Sequence, residues 1–185
     1  KEPIGVVAGV VPWNFPLMMA VWKAAPALAA GCSIIIKPAE DTPLTALRVA
    51  KLASEAGVPD GVFNVLPGFG DVGEALGRHN DVDAISFTGS TEVGGYFMKY
   101  SGESNLKNVG LEMGGKSPFI VLDDAKITDS LIDNAINSAF WNGGQNCSAN
   151  MRQIIHSKVK DDFLDKVLKR VKNIKVGDPL DLKTD

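Results

Sequence analysis

The sequence has 185 residues, of which 45% are hydrophobic and 22% are charged, a composition typical of a soluble globular protein. Its formal net charge of −3 provides no basic footprint, so nucleic acid is excluded as an expected partner. Two cysteines and two histidines are too few for a disulfide framework or a histidine-rich metal site. We therefore expect no metal ion and a reducing compartment, the cytoplasm.

The longest apolar region covers residues 15–36. It contains Lys23, Pro26 and Gly31, so we do not expect it to span a membrane. The chain opens on Lys1 without an initiator methionine or a signal peptide. We therefore expect an internal segment of a longer protein.

Short β-branched runs alternate with helical patterns along the first two thirds of the chain. The predicted strands cover residues 4–11, 33–37, 62–66, 84–88 and 108–113. The predicted helices between them cover residues 15–30 with an interruption at Pro26, residues 44–56, a short stretch from Val72, and residues 92–100.

The last third of the chain continues the same alternation. Strands are predicted at residues 118–122 and 151–156, and helices at residues 127–142 and 160–173. Repeated strand–helix units imply right-handed crossovers and a parallel sheet. The predicted fold class is therefore α/β.

Two glycine-rich turns are candidates for phosphate binding. Residues 68–73 match the pattern G-x-G-x-x-G between a predicted strand and a predicted helix, although a lone match equally describes a tight turn. Residues 87–95, FTGSTEVGG, also join a strand to a helix. Their Ser90 or Thr91 is a candidate N-cap at a helix start that has free N–H groups for a pyrophosphate.

A third candidate for cofactor binding follows the strand at residues 33–37. Lys37 and Glu40 lie where ligands of open α/β sheets bind, at the carboxyl end of a strand. A carboxylate at this place accepts ribose hydroxyls and repels a 2′-phosphate, which favours NAD over NADP. Taken alone, the pair equally describes a solvated loop.

The two cysteines have different surroundings. Cys147 lies in the polar stretch FWNGGQNCSANMR, residues 140–152, where a thiol is exposed enough to react as a nucleophile. Cys32 lies in AAGCSIII beside a buried strand and is predicted to be an inert core residue. A structural role for Cys147 remains the alternative.

Two further side chains are candidates for catalysis. Glu112, in LEMGGKSP, is a candidate general base if partial burial raises its pKa, and the alternative is a salt bridge with Lys116. Asn14, in VPWNFP, lies in a turn that two prolines fix and Trp13 is predicted to anchor. A rigid amide there is a candidate oxyanion donor.

Together these motifs resemble the aldehyde dehydrogenase superfamily. The resemblance covers nearly the whole chain in order and spacing, in six motifs: PWNFP at 12–16, KPAE at 37–40, PGFG at 67–70, FTGSTEVG at 87–94, LEMGGKSP at 111–118 and GQNCSA at 144–149. It implies a Rossmann-like NAD-binding domain over residues 1–112, with helices on both faces of an open parallel sheet. It implies the start of a second α/β domain, the catalytic domain, over residues 113–185.

The resemblance also implies a chemical role for each candidate residue. Cys147 is the expected nucleophile, which attacks an aldehyde to give a thiohemiacetal and, after hydride transfer to NAD, a thioester. Asn14 and the Cys147 backbone N–H are the expected oxyanion hole, and Glu112 is the expected base that activates water. The expected cofactor contacts are Val11, Pro12, Trp13, Lys37, Glu40, Gly70, Phe87, Thr88, Gly89, Ser90, Val93 and Met113.

The expected substrate is a small aldehyde. Phe15, Met19 and Trp22 recur at helical spacing, and we hypothesise that Phe15, Trp22 and Trp141 surround an amino- or trimethylammonio-aldehyde through cation–π contact. A core stripe and a general aliphatic aldehyde remain alternatives. The resemblance implies a full-length homodimer or homotetramer, and no activity is expected of the segment alone. The rival functions are a CoA-acylating dehydrogenase, a cysteine hydrolase and an inactive nucleotide-binding protein.

Overall fold

The computed structural model describes residues 2–185. The chain divides into two compact units, and the division falls between Gly114 and Gly115. Each unit has its own sheet and its own hydrophobic core.

The first unit alternates five strands with four helices. They are β1 (Val6–Val10), α1 (Pro16–Ala29), β2 (Ser33–Lys37), α2 (Leu44–Glu55), β3 (Phe63–Val65), α3 (Gly70–Arg78), β4 (Ala84–Gly89), α4 (Thr91–Gly102) and β5 (Asn108–Met113). All neighbouring strands are parallel, in the order β3-β2-β1-β4-β5. The predicted strands are confirmed to within two residues at each end.

Helices cover both faces of this sheet. On one face, α1 and α2 pack against Ile34 and Ile36 of β2. On the other face, α3 and α4 pack against Ile85 and Phe87 of β4. Both faces are apolar because the strands are rich in β-branched residues, as strands buried on two sides are. The predicted fold class, an open parallel α/β sheet with helices on both faces, is confirmed.

Helix α1 runs through Pro26 without a break, so the predicted interruption at this residue is wrong. A proline removes one backbone hydrogen bond from a helix interior. The buried face of α1 offsets this loss, because Met19, Ala20, Ala24 and Ala27 pack into the core beside β2.

The second unit has two parallel strands and two helices. They are β6 (Pro118–Val121), α5 (Asp129–Phe140), β7 (Arg152–Ile155) and α6 (Ser157–Val171). Phe163 of α6 is buried and packs with Val121 of β6 and Ile132 of α5.

The helix predicted over residues 127–142 ends earlier, at Phe140, and a short 3-10 turn follows at Trp141–Gly144. Asn142 and Gly143 have φ values of 55° and 64°. This left-handed backbone ends a right-handed helix. The polar stretch with Cys147 therefore follows a sharp change of chain direction.

Candidate active site

The candidate cofactor residues of the first unit all lie where a strand ends or where the next helix begins. Because the five strands are parallel, their carboxyl ends lie at one edge of the sheet. The strand order also reverses there, since β2 and β3 lie on one side of β1 and β4 and β5 on the other. Ligands of open α/β sheets bind at such a topological switch point.

The backbone register fixes which residues are neighbours at this edge. Val10, at the end of β1, pairs with Lys37 of β2 on one side and with Phe87 of β4 on the other. Farther along, Thr88 pairs with Glu112 and Gly89 with Met113. The fold thus gathers residues that are up to 103 positions apart, from Val10 to Met113.

Lys37 and Glu40 form an ion pair just after β2. The Nζ atom of Lys37 lies 3.5 Å from Oε2 of Glu40, and the Glu40 side chain is 49% exposed. A backbone hydrogen bond within Glu40 lowers the pKa of its carboxyl group, and the Lys37 ammonium lowers it further. The glutamate therefore offers an ionised, solvent-accessible acceptor that fits the ribose hydroxyls of a nucleotide.

The two glycine-rich turns offer different features to a nucleotide. Helix α3 begins at Gly70, where an added Cβ would meet nothing within 4 Å, so the surface above this glycine is open. Helix α4 begins after Ser90, whose Oγ accepts a hydrogen bond from the Val93 N–H at 3.3 Å. The first turn of a helix has free N–H groups that donate hydrogen bonds to a bound anion. Both places fit a dinucleotide.

Two glycines of the second turn have a packing role instead. A Cβ at Gly89 would lie 2.5 Å from the Phe87 ring, and a Cβ at Gly94 would lie 2.6 Å from the Met113 sulfur. Gly94 therefore allows α4 to pack closely against the end of β5, and Gly89 leaves room for the Phe87 ring at the end of β4.

Asn14 is half-buried in the bend between β1 and α1. The backbone holds this bend, since the Val11 N–H donates to the Lys37 carbonyl at 3.1 Å and the Met19 N–H donates to the Phe15 carbonyl at 2.9 Å. Trp13 is 50% exposed, so its side chain lies at the surface of the turn and outside the core.

Glu112 lies on the edge strand β5, where exposed and half-buried residues alternate. Its side chain is on the exposed side of this alternation. The condition of partial burial is therefore not met in this chain, because the apolar flanks of Glu112 are strand neighbours that point the other way.

Sequence reasoning missed Lys23, which lies on α1 and is 8% exposed. Its Nζ donates hydrogen bonds to Thr88 Oγ1 at 2.8 Å and to Ser86 Oγ at 3.0 Å. Burial lowers the pKa of Lys23 to about 8, and the charge of Glu112 opposes this shift. The position within an apolar run and the i, i+4 spacing from Met19 are the sequence features that indicate an inward-facing lysine.

The side chains of Phe15, Met19 and Trp22, which recur at helical spacing, differ in their exposure to solvent. Phe15 packs against the core and Met19 is 4% exposed, whereas Trp22 is 65% exposed. Residues at helical spacing thus differ in burial, since Met19 lies in the core and Trp22 is exposed to solvent. Trp141, in the second unit, is 55% exposed.

Cys147 is exposed in a turn of the second unit, and Cys32 is buried beside β2 in the first. Asn146 shapes the turn: its Oδ1 accepts hydrogen bonds from the Ser148 backbone N–H at 3.1 Å and from the Ser148 hydroxyl at 3.0 Å. The Cys147 sulfur lies 4.0 Å from the same oxygen. The thiol is accessible, as a nucleophile must be.

Comparison with known proteins decides the family. The profile of the aldehyde dehydrogenase family matches residues 1–185. The chain belongs to this family. Aminoacetaldehyde dehydrogenase of Pseudomonas aeruginosa is 56% identical over 182 residues, which cover 98% of this chain and 37% of that protein. The NADP/NAD-dependent aldehyde dehydrogenase PuuC of Escherichia coli is 50% identical, with the same shares covered.

Solved structures of the family have the same fold. The crystal structure of an indole-3-acetaldehyde dehydrogenase complexed with NAD⁺ matches this aldehyde dehydrogenase chain with a TM-score of 0.94 at 52% sequence identity. The match covers 99% of this chain and 37% of that one. The chain thus spans a little over a third of the length of these three relatives.

Membrane-spanning helices and clusters of metal-binding side chains are both absent from the described part of the chain. Among residues 2–185, no helix is both long enough and apolar enough to cross a membrane. The same part of the chain has no group of three or more His, Cys, Asp or Glu side chains placed to hold a metal ion.

Proposed function

We propose that the protein oxidises an aldehyde to the carboxylic acid with NAD as hydride acceptor and Cys147 as nucleophile. The observation that carries this proposal is the accessible thiol of Cys147 in a chain of the aldehyde dehydrogenase family. The candidate cofactor residues at one edge of the five-stranded sheet support it. In this proposal, the first unit binds the cofactor and the second unit carries the nucleophile.

The proposed chemistry needs three side chains of this chain. The Cys147 thiolate attacks the aldehyde carbon and forms a C–S bond, while the Asn14 amide and the Cys147 backbone N–H donate to the oxyanion. NAD, when bound, supplies the hydride acceptor. The thiohemiacetal carbon loses its hydrogen as a hydride to this acceptor and its carbonyl re-forms, which leaves a thioester with Cys147. Glu112 takes a proton from water, whose oxygen displaces the sulfur and completes the carboxylic acid.

We propose NAD as the preferred cofactor because of Glu40. Its exposed carboxylate accepts the two hydroxyls of an adenosine ribose and repels a 2′-phosphate. Comparing kcat/KM for NAD and NADP in the parent protein and in Glu40→Gln tests this. The preference for NAD should fall by about tenfold, the effect of roughly one charge–charge contact. An unchanged ratio would contradict the role of Glu40.

The proposed substrate is an amino- or trimethylammonio-aldehyde. Trp22 and Trp141 are exposed aromatic rings, and aromatic faces attract organic cations. The similarity to aminoacetaldehyde dehydrogenase supports a cationic substrate. Comparing the turnover of aminobutyraldehyde with that of butyraldehyde tests this proposal, and equal kcat/KM values would overturn it.

We also propose that the full-length protein is a cytoplasmic homodimer or homotetramer, as the family resemblance implies. Light scattering of the purified protein would give the mass of the assembly. A monomer at micromolar concentration would contradict this part of the proposal.

The proposed function is tested with the protein at its full natural length. The parent, Cys147→Ala and the matched control Cys32→Ala are each mixed with NAD and a short aldehyde, and NADH is followed by absorbance. The parent and Cys32→Ala should form NADH, and Cys147→Ala should lose more than about 10³-fold in rate. A parent that forms no NADH with several aldehydes would contradict the proposal, and an ester-cleavage assay would then identify a hydrolase.

A further inference from the structure

The turn that carries Cys147 lies against the segment that leads into β6, residues 115–118. A Cβ added at Gly115 would lie 3.7 Å from the Cys147 carbonyl oxygen, which is an ordinary van der Waals distance. Both stretches belong to the second unit. The backbone of residues 115–118 is therefore the surface that supports the proposed nucleophile.

Arg152, the first residue of β7, binds this segment with two hydrogen bonds. Its Nε and Nη2 atoms both donate to the Lys116 carbonyl oxygen, at 2.9 Å and 2.6 Å. Hydrogen bonds from an ionised donor are shorter and stronger than those between neutral groups. Arg152 also pairs in register with Pro118. Its backbone and its side chain therefore both fix the start of β6.

Asn150 makes a second connection to the same segment. Its Nδ2 atom donates to the Pro118 carbonyl oxygen at 3.2 Å. Its backbone N–H donates to the Ser138 carbonyl oxygen of α5 at 3.0 Å, and its own carbonyl oxygen accepts from Nε2 of Gln153 at 3.2 Å. These two backbone contacts hold Asn150 in place, so its amide can donate steadily to Pro118.

The contacts of Asn150 and Arg152 differ in reach from those that shape the turn itself. Asn146 bonds Ser148, two positions away, and so fixes only the inner geometry of the turn. Asn150 and Arg152 bond residues that lie 32 and 36 positions away along the chain. These two side chains, called the 150/152 clamp below, therefore set where the turn lies within its unit.

We infer that the 150/152 clamp positions the Cys147 sulfur for attack on the aldehyde. The inference rests on the proposed function. It assigns Asn150 and Arg152 no contact with the substrate and no part in bond making, so both are positioning residues. A displacement of about 1 Å from the reactive geometry can lower a rate by about 10²-fold. The clamp should therefore affect the rate of NADH formation and leave cofactor binding unchanged.

The rate of the first turnover in the full-length protein tests the inference. Arg152→Met removes both hydrogen bonds to Lys116, and Asn150→Ala removes the hydrogen bond to Pro118. At saturating NAD and aldehyde, the burst of NADH should slow by about tenfold in Arg152→Met and by about fivefold in Asn150→Ala. The dissociation constant for NAD should stay within about twofold of the parent's. Bursts as fast as the parent's in both variants would overturn the inference.

Arg170→Met is the matched control. Arg170 is an exposed arginine of the same unit, and its Nη2 atom lies 3.0 Å from Oδ1 of Asp133 on α5. The substitution removes a cation of the same kind without loss of a contact to residues 115–118, so the burst rate should change by less than about twofold. A burst as slow as that of Arg152→Met would show a general loss of stability and contradict positioning by the clamp.

A pH profile separates positioning from an effect of charge, because an arginine beside a cysteine lowers the pKa of the thiol. The rate of Cys147 alkylation by iodoacetamide is measured against pH in a Cys32→Ala background. Positioning predicts the same midpoint for Arg152→Met as for the parent. A midpoint that rises in Arg152→Met and returns in Arg152→Lys would show that the charge acts on the thiol, which overturns the inference.

Two further outcomes are separable. If Arg152→Met does not fold, Arg152→Lys decides, since it keeps the charge but offers one donor atom in place of two: the burst should slow by at least about threefold, and an unchanged burst overturns the inference. If the parent shows no burst with several aldehydes, the proposed function fails and the inference fails with it. A parent with a burst that both clamp variants match rejects the inference alone.

Discussion

The two units hold their candidate groups by different means. In the first unit, the register of parallel strands places Lys37, Phe87 and Glu112 at one edge of a sheet that is covered on both faces. In the second unit, Cys147 lies in a turn that Asn146 shapes through local hydrogen bonds. Register is fixed by the whole core, whereas a turn is fixed by its own few residues. Changes in the first unit should therefore affect binding and stability together, and changes at Cys147 should affect chemistry alone.

The largest effect among the other catalytic candidates is expected at Glu112. Glu112→Gln removes the proposed base and keeps the shape of an exposed side chain. Steady-state turnover should fall by about 10²- to 10⁴-fold, the usual range for a general base. The first turnover should still release NADH, because the thioester forms before water is needed. A variant that loses the NADH burst as well would contradict this assignment and tie Glu112 to the earlier steps.

Asn14 should have the next largest effect. Asn14→Ala removes a proposed oxyanion donor and should lower kcat by about 10²- to 10³-fold with little change in NAD affinity. Asn108→Ala is the control, since Asn108 is exposed at the opposite end of the sheet, where β5 begins. Similar kcat values for the two variants would contradict the oxyanion role.

The lowered pKa of Lys23 should make the stability of the first unit depend on pH. Its pKa is about 8 in the folded chain and 10.5 as the reference value, so the unfolded chain binds more protons between these pH values. The free energy of unfolding of the first unit should therefore rise from pH 8 to pH 10.5, by an amount on the order of 3 kcal/mol.

Urea unfolding of Lys23→Met at several pH values tests this rise, most of which the variant should lose. Lys107→Met is the control: burial also lowers the pKa of Lys107, but this residue lies just before β5, away from the carboxyl ends. It should lose part of the rise and keep its affinity for NAD. An unchanged rise in Lys23→Met would contradict the burial of a charged amine.

The smallest effects compare two helix caps, one from each unit. Ser90 Oγ accepts from the Val93 N–H and Thr128 Oγ1 accepts from the Leu131 N–H, both at 3.3 Å. Ser90→Ala and Thr128→Ala should each cost about 1 kcal/mol of stability in their own unit. Only Ser90→Ala should also weaken NAD binding, as titration would show. Equal NAD affinities would remove Ser90 from the proposed cofactor site.

Local patterns were sufficient to predict most of the elements and several site residues. The β-branched run at β2 and the Ser90 cap of α4 each depend on a few neighbouring residues, and the structure confirms both elements. The exposure of Cys147 and the burial of Cys32 follow from their immediate neighbours in the same way.

Residues whose environment depends on distant parts of the chain could not be predicted. The two hydrogen-bond acceptors of Lys23 lie 63 and 65 positions away, and only the placement of β4 beside β1 brings them near. The exposure of Glu112 depends on the position of β5 at the edge of the sheet. The course of α1 through Pro26 depends on packing against β2.

We propose that the first unit binds the cofactor and that the second unit carries the nucleophile. The most direct test of this division of roles is the affinity of Cys147→Ala for NAD in the full-length protein. The dissociation constant is measured by calorimetry and compared with that of the parent, alongside NADH formation from an aldehyde. NAD affinity should stay within about twofold while NADH formation is lost. A Cys147→Ala variant that no longer binds NAD, or one that still forms NADH, would contradict the proposed roles of the two units.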